Sequence, residues 1–185
     1  MLITRAASAK VIFTEVSLVL FLFAGVAAGQ SNQSVYTSLE VKQCRTIKGS
    51  DAGDYEGRCR GTAGYTLLVT EGDLRQNVTV VTPAGAKHSL DLWEVVSGGF
   101  SSVGPKAEWR VASQNGKLTP VALIIRYNAS ENPDEPDKLS SYLAVTKITS
   151  AEICVTDKIS PGPKANEEAR RAADTASTKP CLERR

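Results

Sequence analysis

The chain has 185 residues, of which 42% are apolar and 23% are charged. These proportions suit one domain with a buried core and exclude the collagen-like and compositionally disordered classes. Lysine and arginine nearly balance aspartate and glutamate, and a net charge of +2 argues against binding to nucleic acid or anionic membranes. With four cysteines and one histidine, the chain also has too few ligands for most zinc sites and for most histidine-based catalysis. We therefore expect no metal site and no cofactor.

Residues 1–29 have the pattern of a cleaved signal peptide. Arg5 and Lys10 give a basic start, an almost wholly apolar run occupies 16–26, and small residues fill 27–29. The run is shorter than the roughly 20 apolar residues that span a bilayer, so cleavage is the favoured interpretation and a retained anchor is the alternative. We expect no membrane span in the mature chain and a periplasmic or secreted location.

Export to an oxidising compartment predicts two disulfides among the four cysteines, Cys44, Cys59, Cys154 and Cys181. Three pairings are open, and proximity in sequence favours Cys44 with Cys59 and Cys154 with Cys181. A redox-active or metal-binding set is the alternative. It is disfavoured because no two cysteines have C-x-x-C spacing and His88 is distant from all four in sequence.

The chain after the signal reads as a flexible linker over 30–38, rich in Ser, Asn and Gln, followed by a single α+β domain over 39–185. Runs of β-prone residues are separated by Gly, Pro and Asp, which predicts strands at 39–45, 55–60, 65–70, 77–82, 140–148 and 152–159. The pair Asn115-Gly116 predicts a hairpin that joins 108–111 to part of 121–127. The acidic, proline-containing segment 128–138 is predicted to be an exposed loop.

Beyond Pro163 the spacing of apolar residues changes from that of a strand to that of a helix, with alanines recurring at helical spacing over 165–176. This predicts a helix with Asn166 as its cap, and its small side chains require close packing on the sheet. The predicted fold class is therefore α+β. We expect an antiparallel twisted sheet of about six to eight short strands with one C-terminal helix that a disulfide through Cys181 fastens.

Four residues are candidates for binding: Trp93, Glu108, Arg110 and Arg126. Tryptophan and arginine are enriched where proteins contact their partners. Trp109 lies between Glu108 and Arg110 in a predicted strand, so its side chain points away from theirs. We interpret Trp109 as a core residue and its two neighbours as exposed, with Arg126 able to reach Glu108 across the hairpin.

A small periplasmic hydrolase is the alternative function. His88 would be its base, but no G-x-S-x-G elbow or comparable motif accompanies this histidine. A paired-carboxylate site needs two acids at a fixed separation, and no spacing singles out a pair among Glu71, Asp73, Glu94 and Glu108. The acidic residues at 132–137 could ligate calcium, yet they lack the spacing and the glycine of an EF-hand loop.

Several motifs are dispersed along the chain: Glu71-Gly72-Asp73-Leu74-Arg75, Glu108-Trp109-Arg110, Ala122-Leu123-Ile124-Ile125-Arg126, Leu143-Ala144-Val145-Thr146-Lys147, Cys154, Ala165-Asn166 with Ala169-Arg170, and Cys181. In this order they resemble a group of small exported proteins of alphaproteobacteria, over about residues 36–181. The resemblance implies a bacterial, periplasmic setting, and it implies no activity because none is known for the group. We expect a non-enzymatic binding module that contacts a protein or an envelope component, of unspecified oligomeric state.

Overall fold

The structure is a computed structural model and describes residues 32–49, 53–114 and 116–184. The signal peptide predicted over 1–29 lies outside these residues. In chain order the described elements are β1 (Gln33–Ser38), β2 (Arg45–Gly49), β3 (Tyr55–Arg60), β4 (Thr66–Gly72), β5 (Arg75–Val81), β6 (Lys87–Ser89), α1 (Leu92–Val95), β7 (Phe100–Gln114), β8 (Lys117–Ser130), β9 (Leu139–Ile148), β10 (Ile153–Ile159) and α2 (Ala165–Asp174). Short 3-10 turns lie at Val41–Gln43 and Ala176–Thr178.

The ten described strands form one sheet with the order β10-β9-β8-β7-β5-β4-β3-β2, to which β1 adds beside β7 and β6 beside β5. Among the described pairings, only that of β5 with β7 is parallel, and it consists of one residue pair, Arg75 with Ser101. The mainly β architecture with a C-terminal helix matches the predicted class. The sheet has more strands than predicted, it is mixed rather than purely antiparallel, and α1 is a second helix.

Residues 33–38 form β1, where the sequence predicts a flexible linker. This strand pairs with β7 along its whole length, from Gln33 opposite Val111 to Ser38 opposite Lys106. The sequence of this segment is polar and has no strand pattern. It forms a strand through backbone hydrogen bonds to β7, and Val35 packs against the core. The strand predicted at 39–45 is likewise replaced by a 3-10 turn that leads into β2.

Two hydrophobic clusters lie on the two faces of β8 and β9. Alternate side chains of β8 face opposite ways, so Leu123 joins the larger cluster and Ile124 the smaller one. The larger cluster is closed by side chains from β3, β4 and β5, among them Leu67 and Val78. The smaller cluster is covered by α2, whose fully buried Ala169 lets the helix approach the sheet closely. The alanine stripe therefore packs on the sheet as predicted.

The structure contains both disulfides that sequence proximity favours, Cys44–Cys59 and Cys154–Cys181. The second one fastens the segment after α2 to β10, where the Leu182 amide donates to the Val155 carbonyl at 2.8 Å. Two disulfides fit the predicted periplasmic or extracellular location. Within the described ranges, no helix combines the length and the apolar character that are needed to cross a bilayer.

Candidate functional site

The four predicted binding residues lie in two separate places. Glu108 and Arg110 lie on the face of β7 that α2 covers, with β1 beside β7 in the sheet, and Arg126 lies near them on β8. Trp93 lies in α1 and lines a different cavity. The structure therefore offers two candidate surfaces, and each has its own geometry and charge.

Arg110 is buried rather than exposed, contrary to the interpretation from sequence, because α2 lies over it and β1 pairs with β7 beside it. Only 8% of Arg110 is exposed. Its Nε and Nη2 atoms donate to the two carboxylate oxygens of Asp174 in α2, both at 2.9 Å. The remaining contacts go to β1 and the residue before it: Nη1 donates to Ser34 Oγ at 2.6 Å, and Nη2 to the Asn32 carbonyl at 2.7 Å. Arg110 thus joins three segments of the chain and has a structural role.

Glu108 is held as an anion by donors from the same two elements. Its carboxylate accepts hydrogen bonds from Arg170 Nε and from Ser34 Oγ, each at 2.6 Å. Burial by itself raises the pKa of Glu108, but the hydrogen bonds from Arg170 and Ser34 outweigh it, so the pKa lies below its ordinary value. A carboxyl group of this kind stays ionised near neutral pH and is poorly suited to be a general acid.

A cavity opens beside Glu108 because β7 bulges away from β8. Between register pairs, β7 advances over 103–107 while β8 advances over only 125–127, so β7 carries the extra residues. Pro105 has no backbone donor for the ladder, which favours the bulge at this point. Gly104 leaves room for the neighbouring strand, since a Cβ there would lie 2.8 Å from the Cβ of Arg126.

We call this cavity the bulge pocket, and its volume is about 210 Å³. Its lining residues come from β1, β7, β8, β9 and α2: Tyr36, Gly104, Pro105, Lys106, Glu108, Ile124, Arg126, Leu143 and Asn166. Arg126 does not reach Glu108 as predicted, because Glu108 is taken by Arg170. Its Nη1 instead donates to Ser141 Oγ at 2.9 Å and its Nη2 to Asn166 Oδ1 at 3.2 Å, and both partners are neutral.

Positive charge is in excess around the bulge pocket. The one carboxylate in its lining, Glu108, is neutralised by Arg170. Arg126 has two neutral partners, and Lys106 has no hydrogen-bond or ion-pair partner among the residues that the structure describes. Two cationic side chains therefore line a cavity whose other walls include the apolar side chains of Ile124 and Leu143.

Trp93 belongs to a second surface, which we call the tip face. It consists of Leu74, Arg75, Trp93, Phe100, Pro133, Pro136 and Leu139. Three adjoining cavities connect these residues: Arg75 lines one with Trp93 and one with Phe100, and Phe100 also lines a third with Leu139. The backbone of Leu74 adjoins these cavities, since its carbonyl accepts from the Ser101 amide at 2.8 Å.

Apolar exposure is high across the tip face. The exposed fractions are 62% for Leu74, 45% for Trp93, 50% for Phe100 and 53% for Leu139. Single exposed apolar residues are ordinary, but a connected group of them usually marks a contact surface. The guanidinium of Arg75 lies 5.2 Å from the centre of the Phe100 ring, and its Nε donates to the Gly98 carbonyl at 2.9 Å. These contacts orient the Arg75 side chain beside the Phe100 ring.

Leu74 lies at the tip of the hairpin between β4 and β5, in a strained backbone conformation. Asp73 and Leu74 have φ values of 49° and 56°, in the left-handed region that favours Gly and Asn. For a leucine this conformation costs about 1–2 kcal/mol, and the side chain that it presents is mostly exposed. Strain of this kind is concentrated at ligand-contact sites in proteins.

Acidic groups surround the tip face. The hairpin contributes Glu71 and Asp73, and the loop from β8 to β9 contributes Glu131, Asp134, Glu135 and Asp137. The basic side chains of these two segments are Arg75 and Lys138, and they pair with Asp73 and Glu135. The tip face is therefore apolar at its centre and negatively charged around it.

The residues proposed for catalysis do not form a catalytic set in the described part of the chain. His88 lies in β6, and no described hydrogen bond joins its imidazole to a serine or a carboxylate. Ser89, its neighbour, points to the opposite side of the strand and donates to Asp91, which Arg184 also binds.

The candidate carboxylates outside the bulge pocket each have a hydrogen-bond or ion-pair partner in the described part of the chain. Glu71 accepts from Gln76 Nε2 at 2.7 Å, and Glu94 pairs with Arg184 at 3.0 Å. One described cluster has the separation of a metal site, Glu152 with the sulfur atoms of Cys154 and Cys181. Those sulfur atoms form a disulfide and are not thiolates, so this cluster is not a metal site.

The sequence prediction named Trp93, Glu108 and Arg126, which line these two surfaces, but it did not name the residues that complete each surface. Leu74 appeared only within the motif over 71–75, and Phe100 appeared in no motif. The Gly104-Pro105 pair inside an extended run was a signal for a bulge. Comparisons of this chain with protein-family models, with curated proteins and with solved structures found no match.

Proposed function

We propose that this chain is an exported, non-enzymatic module that binds a protein partner through the tip face. The observation that carries the proposal is the connected group of half-exposed apolar side chains at this face: Leu74, Trp93, Phe100 and Leu139. Interfaces have apolar and aromatic centres with charged groups at their rims, and the tip face has this arrangement. A periplasmic or secreted location is part of the proposal and is supported by the two disulfides.

The charge of the tip face indicates the chemistry of the partner. Because carboxylates outnumber basic groups around it, the complementary surface carries lysine or arginine side chains around an apolar centre. An anionic lipid surface would be repelled by the same carboxylates. The proposed partner is therefore a protein with a basic and apolar contact surface.

Site-specific photocrosslinking in the native organism tests this proposal. A photoreactive amino acid is placed at Leu74 in one strain and at Ile47 in another, since Ile47 is 45% exposed on β2 and lies outside the tip face. We expect one protein adduct from position 74, absent from position 47 and lost when Trp93→Ala is added. Identical adducts from both positions, a lipid adduct, or no adduct from position 74 would each contradict the proposal.

Tryptophan fluorescence gives a second, quantitative readout with the purified partner. The chain has two tryptophans, and Trp109 is fully buried whereas Trp93 is 45% exposed. Partner binding should therefore protect Trp93 from acrylamide quenching and leave the signal of Trp109 unchanged. Phe100→Asp should weaken binding at least about tenfold, and Ile47→Asp should not.

A substrate panel tests the non-enzymatic part of the proposal. Esterase, glycosidase and peptidase substrates should show no turnover by the purified chain. Turnover that His88→Ala or Glu108→Gln abolishes, in a variant that remains folded, would establish the hydrolase instead.

A further inference from the structure

We infer that the bulge pocket is a binding site for a small organic carboxylate with a short apolar body. This inference rests on residues that the tip face does not use, so it stands or fails independently of the proposed function. It begins from the shape of the cavity. At about 210 Å³ the pocket is smaller than the 300–1,000 Å³ that is usual for drug-sized ligands, so its occupant is small.

Free donor capacity in the pocket favours an anion. Arg126 uses one N–H of Nη1 for Ser141 and one of Nη2 for Asn166, which leaves further guanidinium N–H groups without a partner. The ammonium group of Lys106 has no partner among the described residues and supplies donors from the other strand. An arginine and a lysine that meet in this way are typical of sites for carboxylate or phosphate groups.

The structure also shows why these cations have no protein anion to pair with. Glu108 lines the same pocket, but its carboxylate is held by Arg170 and Ser34. The positive charge of Arg126 and Lys106 is therefore left for a group from outside the chain. In the register of β7 and β8, residues 104–106 lie opposite the single residue Arg126, so the bulge places Lys106 and Arg126 on neighbouring strands at the pocket.

The apolar lining selects a carboxylate over a bare phosphate. Pro105 is exposed and lines the pocket, and the largely buried Ile124 and Leu143 form the apolar wall beside it. A ligand with an alkyl body would cover this apolar surface, and a phosphate ion would leave it in contact with water. A short-chain carboxylate satisfies both the cationic and the apolar parts of the lining.

Titration of the isotope-labelled protein with sodium butyrate tests the inference, with backbone amide NMR signals as the readout. Butyrate should shift the amide signals of Gly104 and Lys106 in a saturable way. Butyramide, which has the same alkyl body without the charge, should give no saturable shift. Inorganic phosphate should bind at least about tenfold more weakly than butyrate.

Matched variants assign the effect to the two cations. Arg126→Gln and Lys106→Gln should each weaken butyrate binding about tenfold, because a hydrogen bond to a charged group is lost in each. Lys138→Gln removes a lysine from the exposed loop between β8 and β9 and should leave the affinity unchanged. Lys106→Gln alters an exposed side chain, so this variant keeps its fold even if Arg126→Gln does not.

Three results would overturn the inference. They are the absence of saturable shifts with butyrate, equal shifts with butyramide, and equal losses in the Lys106 and Lys138 variants. Tighter binding of inorganic phosphate than of butyrate would reject the carboxylate assignment. Each result leaves the photocrosslinking outcome at the tip face unaffected, so the two proposals can fail separately.

Discussion

Replacing Arg110 with methionine tests how α2 is held on the sheet. Methionine fills a similar length and is apolar, so the change removes the guanidinium without leaving a large void. The variant loses both hydrogen bonds to Asp174, one to Ser34 Oγ and one to the Asn32 carbonyl. One of the side-chain links from β7 to α2 and β1 is then lost, while the contacts of Glu108 with Arg170 and Ser34 remain.

The expected loss of stability follows from the burial of the two partners. Breaking a fully buried ion pair from one side costs about 3–5 kcal/mol, whereas an exposed pair contributes about 0–1 kcal/mol. Arg110 has a side chain that is 9% exposed, and that of Asp174 is 36% exposed, so water can solvate the carboxylate again once its partner is gone. We therefore expect a decrease of about 2 kcal/mol in the free energy of unfolding near neutral pH.

The pH dependence of this loss provides an internal check. Burial raises the pKa of Asp174, but the hydrogen bonds from Arg110 and Asn32 outweigh it and bring the pKa below its ordinary value of 3.8. A carboxyl group with a lowered folded-state pKa stabilises the fold above the unfolded-state value, and this stabilisation is lost as the pH falls through the folded-state pKa. The difference in the free energy of unfolding between the wild type and Arg110→Met should therefore be largest near neutral pH and decrease below about pH 4.

Urea unfolding, followed by circular dichroism at about pH 7 and about pH 2.5, measures both effects. Arg171→Met is the matched control, because Arg171 is also on α2 and has a side chain that is 66% exposed. It should change stability by less than about 0.5 kcal/mol. The reasoning is refuted if Arg110→Met is no more destabilising than the control, or if its effect is the same at both pH values.

Three further predictions concern packing, the second disulfide and the strained turn. Ala169→Leu should lower the free energy of unfolding by about 1–3 kcal/mol, because the added atoms overfill the contact between α2 and the sheet. Thermal unfolding measures this loss, and Glu168→Leu, on the exposed side of the helix, is the control. Replacing Cys154 and Cys181 together with serine should cost about 3.5 kcal/mol, from the length of the loop that the bridge closes, and should make the C-terminal segment sensitive to limited proteolysis. Leu74→Asn should stabilise the chain by about 0.5–1 kcal/mol in urea unfolding, since asparagine tolerates a positive φ, and it should weaken partner binding as measured by the protection of Trp93 from acrylamide quenching. Unchanged stability would show that the turn is not strained.

Elements that depend on neighbouring residues were predictable from the sequence. The hairpin of β7 and β8 closes at Gln114 opposite Lys117, and Gly116 of the predicted turn has a φ of 75°, while Asn115 lies outside the described residues. The predicted helix over 165–176 corresponds to α2 followed by a 3-10 turn. Asn166 is not its cap, however, because that position is held by Lys164 and the Asn166 side chain accepts from Arg126.

Elements that depend on distant residues were not predictable. Trp109 is fully buried as predicted, and Glu108 and Arg110 do point to the opposite face of β7. The alternation of a strand gives two faces but does not say what covers each one. Only the folded chain shows that α2 lies over this second face, with β1 beside it, so that Glu108 and Arg110 form structural ion pairs with residues of α2.

By itself, the sequence determined the short-range features: the local strands, the turn at the hairpin, the alanine stripe and the favoured pairing of the cysteines. The spacing of apolar residues, the residue types at turns and the separation of the cysteines are all properties that can be read directly from the sequence. The tertiary structure alone decided that β1 exists, that a bulge opens a cationic pocket, and that Leu74, Trp93 and Phe100 meet at one face. Each of these depends on strands brought together from distant parts of the chain, and such contacts leave no periodic trace along it.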